Sequence, residues 1–140
     1  MSQTKQIALD YHNRINTKDF AGAAALMADN CVNHTGVPEA QGRAGFLATM
    51  QKLRTAFPDM TYKLEDVIVE GDRAVMRVTA TGTNSGELAF VRVQHGATNK
   101  RVEFEQIHIV RVVDGKIAEH WLGQDTIRLF RQLGLKVSEA

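Results

Sequence analysis

A change of hydrophobic period at Phe57-Pro58 constrains this chain more than any other feature. Before it, apolar residues recur at helical spacing; from Thr61 onward they recur at every second position. Ile7, Tyr11 and Ile15 stand four apart, which predicts a helix over 3–16. Thr17-Lys18-Asp19 interrupts it and opens a second helix, about 19–28, through FAGAAALMA. Cys31-Val32-Asn33-His34 reads as a short strand before a turn at Gly36 and Pro38. A third helix is predicted from about Gly42 to Ala56, with Phe46, Leu47, Met50 and Leu53 as its apolar stripe. It ends at Phe57 because a residue preceding proline avoids helical angles.

Strands are then predicted from Tyr62 to Val69, turning at Glu70-Gly71-Asp72, and from Ala74 to Thr83. A short β-like middle, Leu88 to Val93, lies inside the polar stretch 84–99. Val102 to Val113 and Lys116 to about Leu122 complete the set, and Asp125 opens a short amphipathic helix closed by Gly134. Helices first and antiparallel strands afterwards make an α+β pattern, with helices packed on one face of a sheet. The 140 residues suit a single domain, 1–140, with one sizeable core.

Charge removes several classes of function. Seventeen basic and 16 acidic residues leave a net charge of +1, so nothing draws the chain to nucleic acid or to an anionic membrane. No run reaches membrane-spanning length and the first residues carry no apolar signal core, so a cytoplasmic location is expected. Cys31 is the only cysteine, which excludes an internal disulfide and a cysteine-based zinc site. The five histidines, at 12, 34, 95, 108 and 120, lack ligand spacing, and no metal is expected.

Asp114-Gly115 between two β-rich runs is a strong hairpin signal. A two-residue turn there pairs His108 with Trp121, Val110 with Glu119 and Gln106 with Gly123. Directly opposed residues share a face. Gln106, His108, Trp121 and, if the extended path continues, Asp125 then share one surface, and His120 points the other way. A carboxylate, an imidazole and an amide beside an indole are the parts of an acid–base site in an apolar pocket. Phe104 lies on the same face. Ile107 and Ile109 lie on the opposite face, too apolar to leave wet, so it is expected either to pack as a homodimer interface or to be covered by the C-terminal helix.

The phrases Phe57-Pro58-Asp59, Glu70-Gly71-Asp72, Thr81-Gly82-Thr83, Asp114-Gly115-Lys116-Ile117 and Glu119-His120-Trp121, spread over nearly the whole chain, resemble the SnoaL-like polyketide cyclases. These belong to the nuclear-transport-factor-2-like superfamily, which includes ketosteroid isomerase. The resemblance implies a cone: a curved antiparallel sheet packed on three N-terminal helices, with a short C-terminal helix. It also implies a reaction without cofactor or metal, an aldol-type cyclisation or isomerisation of a small apolar or aromatic carbonyl compound. Asp125 matches the family's acid–base carboxylate, and Gln106-Ile107-His108 its Gln-x-His pair. Asn33 and His34 match a recurring polar contribution, and Tyr11 falls near the oxyanion-stabilising tyrosine of the isomerase branch. With Gln106, they would hydrogen-bond the substrate between walls of Phe46, Met50, Phe57, Phe104 and Trp121. The stretch AFVRVQHGATNKR departs from the family's shorter, proline-containing loop, so substrate identity does not carry over.

The residues also allow plainer roles. Asp125 precedes Thr-Ile-Arg-Leu-Phe and is a good helix N-cap, a role that would lower its pKa. His108 could be a hydrogen-bonded core histidine, and Asn33 and His34 could belong to a turn. The same cone could serve a non-catalytic module that binds small molecules.

Overall fold

The computed structural model describes residues 2–34, 38–90 and 93–136. Helix α1 (Gln3–Asn16) starts where the Ser2 hydroxyl accepts from the Lys5 amide at 3.2 Å. It buries Thr4, Ala8, Tyr11 and Ile15, one step round from the expected stripe, with Ile7 only partly covered. Helix α2 (Phe20–Ala25) is capped by the Asp19 side chain, which accepts from Gly22 N at 2.9 Å. It stops short of the predicted 28 because Met27 already belongs to strand β1 (Met27–His34). The Leu26 carbonyl accepts from Ile117 N at 2.8 Å, so sheet pairing overrides the helical propensity of Leu-Met-Ala. Pro38–Ala40 form a single 3₁₀ turn; Gly36, the other residue of the predicted turn, lies outside the described residues. Helix α3 (Gly42–Ala56) ends at Phe57 as expected, with φ −136° and ψ 74°.

Strands β2 (Thr61–Glu70), β3 (Arg73–Thr83), β6 (Arg101–Val113) and β7 (Lys116–Gln124) join β1 in one sheet of order β1-β7-β6-β3-β2. The small hairpin of β4 (Leu88–Phe90) and β5 (Val93–His95) stands apart; Val91 and Arg92 of the predicted run Leu88 to Val93 are outside the described residues. The curved sheet is mixed, not wholly antiparallel as the sequence suggested, because β1 runs parallel to β7. Parallel neighbours need a long crossover, and everything from α3 to β6 lies between these two. Helix α4 (Thr126–Leu133) follows, capped by Asp125 and closed by Gly134 in the left-handed region, φ 78°. Asn84 organises the excursion between β3 and β6. Fully buried, it donates to the Ala56 and Gly86 carbonyls and accepts from Thr98 N.

The terminal hairpin corrects the predicted register. The turn itself is as expected: Asp114 and Gly115 both have positive φ, 49° and 77°, and Val113 faces Lys116. Val112 faces Ile117, but Arg111 then faces Glu119. Ala118 is an extra residue on β7, a β-bulge, and beyond it every side chain of the strand changes face. Val110 therefore faces His120, Ile109 faces Trp121 and His108 faces Leu122. His120 and Leu122 turn inward; Trp121 and Glu119 turn outward.

Candidate active site

Helices α1 and α3 and the inner sheet face enclose a cavity of about 110 Å³, partly open to solvent. α1 contributes Tyr11, His12 and Ile15, and α3 contributes Phe46, Thr49, Met50 and Leu53. Asn33 and Ala40 come from β1 and the 3₁₀ turn. Tyr62, Met76, Val78, Gln106, His108, His120 and Leu122 form the sheet wall. Met76 and Val78 sit directly opposite His108 and Gln106 on β3.

A run of hydrogen bonds crosses this apolar wall. His120 Nε2 lies 2.8 Å from His108 Nδ1, and His108 Nε2 lies 2.9 Å from Gln106 Oε1. Gln106 Nε2 donates to Gln124 Oε1 at 3.0 Å. An amide oxygen only accepts, so His108 carries its proton on Nε2 and accepts at Nδ1. His120 accordingly donates from Nε2, and its Nδ1 is left as an acceptor with no hydrogen-bond partner among the described residues. The two imidazoles are nearly parallel, with ring centroids 5.1 Å apart. Burial, then repulsion from His120 and His12, pushes the His108 pKa down to about 3. Burial, then His34, pushes His120 down to about 4. Both rings are neutral at neutral pH.

Tyr11 closes one side, its ring centroid 6.2 Å from that of His120 and 6.1 Å from that of Phe46. Burial raises its pKa, so it stays a phenol. Asn33 sits beside His120 across the parallel β1–β7 pair and is 4% exposed. Its Nδ2 donates to the Ala40 carbonyl, which leaves Oδ1 buried without a hydrogen-bond partner. Asn33 thus lines the cavity with one amide proton committed to the 3₁₀ turn and an oxygen that has no exposed surface.

The remaining expected residues fall elsewhere. The bulge places Trp121 on the outer face, stacked on His34 at 4.6 Å with the Arg73 guanidinium 5.2 Å from its ring. His34 joins Glu119 at 2.8 Å on that outer face, and Glu119 also accepts from Arg111 at 2.6 Å. Those two partners hold the Glu119 carboxyl below its usual range. Phe57 is buried beneath the end of α3 and Phe104 in the core; neither lines the cavity. Asp125 is exposed, accepts from Arg128 N at 3.1 Å, and is not among the lining residues. Phe46, Met50, Gln106, His108, Asn33 and Tyr11 do meet there, joined by His120, which the predicted register had sent away.

The depressed histidines make stability depend on pH. Their folded values lie below the unfolded value of about 6.5, so below that pH the unfolded chain binds more protons. Their contribution is complete above about pH 6.5 and is lost as pH falls toward 3. We expect a loss on the order of 5 kcal/mol between pH 7 and 4.5 in urea unfolding. Replacing both histidines with glutamine should flatten that slope, whereas carboxylates such as Glu119 and Asp59 would act in either protein. An equally steep slope in the double variant would refute the assignment.

The family model for SnoaL-like polyketide cyclase matches residues 5–133. The chain belongs to that family. Aklanonic acid methyl ester cyclase DnrD of Streptomyces peucetius is 35% identical over 99 residues, 69% of this chain and 65% of DnrD. The corresponding cyclase DauD of Streptomyces sp. strain C5 is also 35% identical, over 69% of this chain and 58% of its own. The chain thus spans less than two thirds of the length of either. Among solved structures, IdmH of Streptomyces antibioticus, described as a candidate polyketide cyclase, is 29% identical with a TM-score of 0.78. The match covers 96% of this chain and 100% of IdmH. AclR of Streptomyces galilaeus, described as a candidate hydroxylase, gives 28% identity and a TM-score of 0.80 over 96% and 97%. This SnoaL-like chain shares with them its helices, sheet and short C-terminal helix.

Proposed function

We propose that the chain performs cofactor-free acid–base chemistry, an aldol-type cyclisation or isomerisation, on a small and largely apolar carbonyl compound. The observation that carries this reading is the His120–His108–Gln106 run on the wall of an otherwise apolar cavity. In it, His120 Nδ1 removes a proton from the carbon beside a carbonyl, and its Nε2 proton shifts to His108 Nδ1. His108 then donates from Nε2 to the Gln106 oxygen, and the enolate supplies the counter-charge for the imidazolium. The Tyr11 hydroxyl is one donor available to the developing enolate oxygen; His108 Nε2 is engaged with Gln106, and Gln106 Nε2 and Asn33 Nδ2 each already donate to a protein oxygen. After ring closure the proton returns to the new alkoxide, so no external acid or base is consumed. The names of the related cyclases DnrD and DauD support a polyketide methyl ester as the substrate type. An engineered apolar cavity of about 150 Å³ holds benzene. A cavity of about 110 Å³ accordingly takes about one ring, and the rest of a larger substrate extends through the opening.

In this reading Asp125 caps α4, and the histidines carry the proton. The test is exchange of the substrate's α-proton with D₂O, followed by NMR on an aklanonic-type β-keto methyl ester. Asn caps a helix as well as Asp does, so Asp125→Asn removes only the carboxylate chemistry. The variant should exchange at the wild-type rate. Loss of exchange in a folded Asp125→Asn protein would return the acid–base role to Asp125. Binding without exchange in the wild type would favour the non-catalytic module.

The outer sheet face supports the homodimer reading. Ile68, Ile107 and Val32 are 65%, 46% and 44% exposed there, and α4 leaves them uncovered. Sedimentation should give a dimer for the wild type and a monomer for Ile107→Lys. A monomeric wild type would end this reading.

A further inference from the structure

We infer that Gln124, outside the cavity, sets the direction of the buried hydrogen-bond run and so decides whether His120 offers the cavity a lone pair or a proton. The inference deepens the acid–base reading and rests on it for its consequence, though not for its first test. Every member of the run Gln124–Gln106–His108–His120 can both donate and accept. An amide turned end for end, or an imidazole with its proton moved, fits the same positions. The run therefore has two self-consistent polarities. In one, Gln106 Nε2 donates outward to Gln124, both histidines carry their protons on Nε2, and His120 Nδ1 is a base. In the other, Gln106 turns its nitrogen to His108 Nε2, His108 donates from Nδ1 to His120 Nε2, and His120 presents an Nδ1–H.

Nothing at the cavity end chooses between them: His120 Nδ1 has no hydrogen-bond partner among the described residues. The two histidines repel a shared charge and are both neutral, so no fixed charge on them does so either. The choice falls to the other end. Gln106 is 8% exposed, and its amide touches His108 on one side and the exposed Gln124 on the other. As observed, Gln124 turns its carbonyl oxygen to Gln106 and accepts at 3.0 Å, so the run stands in the base polarity; what position 124 presents is what selects it. Gln124 is thus a positioning residue that acts through Gln106 and His108 without touching substrate.

The two polarities give opposite predictions for two substitutions at this exposed position. Gln124→Glu leaves only an acceptor and should keep the wild-type pattern. Gln124→Lys leaves only a donor and should reverse it. The direct readout needs no substrate: ¹⁵N NMR of the imidazole nitrogens at neutral pH. His120 Nδ1 should be pyridine-type in the wild type and in Gln124→Glu, and pyrrole-type in Gln124→Lys. With a substrate, Gln124→Lys should lose about tenfold or more in kcat with KM little changed, and Gln124→Glu should not. The same ring-nitrogen pattern in all three proteins would overturn the inference while leaving the acid–base proposal standing. Reversed tautomers with an unchanged kcat would confirm the control by Gln124 and refute His120 as the base.

Discussion

Insertion of one alanine after Ala118 is expected to unfold the protein or to cost it more than about 4 kcal/mol, the range reserved for buried charges and ruined cores. The bulge is all that separates two registers of β7. With the turn at Asp114-Gly115 and the one-residue bulge both kept, the inserted residue takes the place opposite Arg111, and every later residue of β7 moves on by one. Glu119 then points inward opposite Val110, a fully buried residue, and loses both Arg111 and His34. An unpaired carboxylate in that wall is strongly penalised. Trp121 is driven into the cavity opposite His108, and His120 leaves it. Urea unfolding followed by circular dichroism measures the loss. Combining the insertion with Glu119→Leu should recover part of it, because the buried charge is then gone while the misplaced indole remains. An insertion variant as stable as the wild type would mean that the bulge absorbs a second residue and does not fix the register.

Replacing His120 with glutamine should lower kcat by about 10²–10⁴-fold with KM little changed. The glutamine Nε2 can still donate to His108 Nδ1, so the wall keeps its hydrogen bond; what disappears is a ring nitrogen able to take a proton. Uniform binding depends on the apolar walls, which the substitution leaves alone, so the effect belongs in the chemical step. A change confined to KM would assign His120 to binding only. Steady-state rates on the compound that shows α-proton exchange make the distinction.

Much of the fold was legible in the amino-acid order. The change of period at Phe57-Pro58 separated helices from strands, and Asp114-Gly115 located the hairpin turn. Two features were not legible, both for tertiary reasons. Leu26, Met27 and Ala28 have helical propensity, yet pairing with β7 ends α2 at Ala25 and draws Met27 and Ala28 into a strand. The bulge at Ala118 has no glycine to announce it, and Ile117 to Leu122 carries apolar residues for either face. One signal was present: the unbulged register puts Glu119 against Val110, on the face meant for the core. A charge facing the core asks for a change of register, and one extra residue supplies it. The site was half legible for the same reason. Gln106 and His108 precede the bulge and were placed correctly; Trp121 and His120 follow it and exchanged places. Met76 and Val78 could have been found from the alternation on β3. Tyr62 and His12 needed the packing of α1 on the sheet.

The position of Ala118 also bears on how such a pocket could change over generations. Substitution alters one wall residue at a time, but gaining a residue just after this point exchanges the whole set that β7 shows to a ligand, with no codon changed elsewhere in the strand. Two relatives could both read Glu-His-Trp and yet meet their substrates with an imidazole in one case and an indole in the other. The order of events is restricted, because a lineage that gains a residue after Ala118 while it still carries Glu119 turns that carboxylate into the core. Neutral replacement of Glu119 would have to come first, and that residue is therefore the gatekeeper of the pocket's evolutionary freedom.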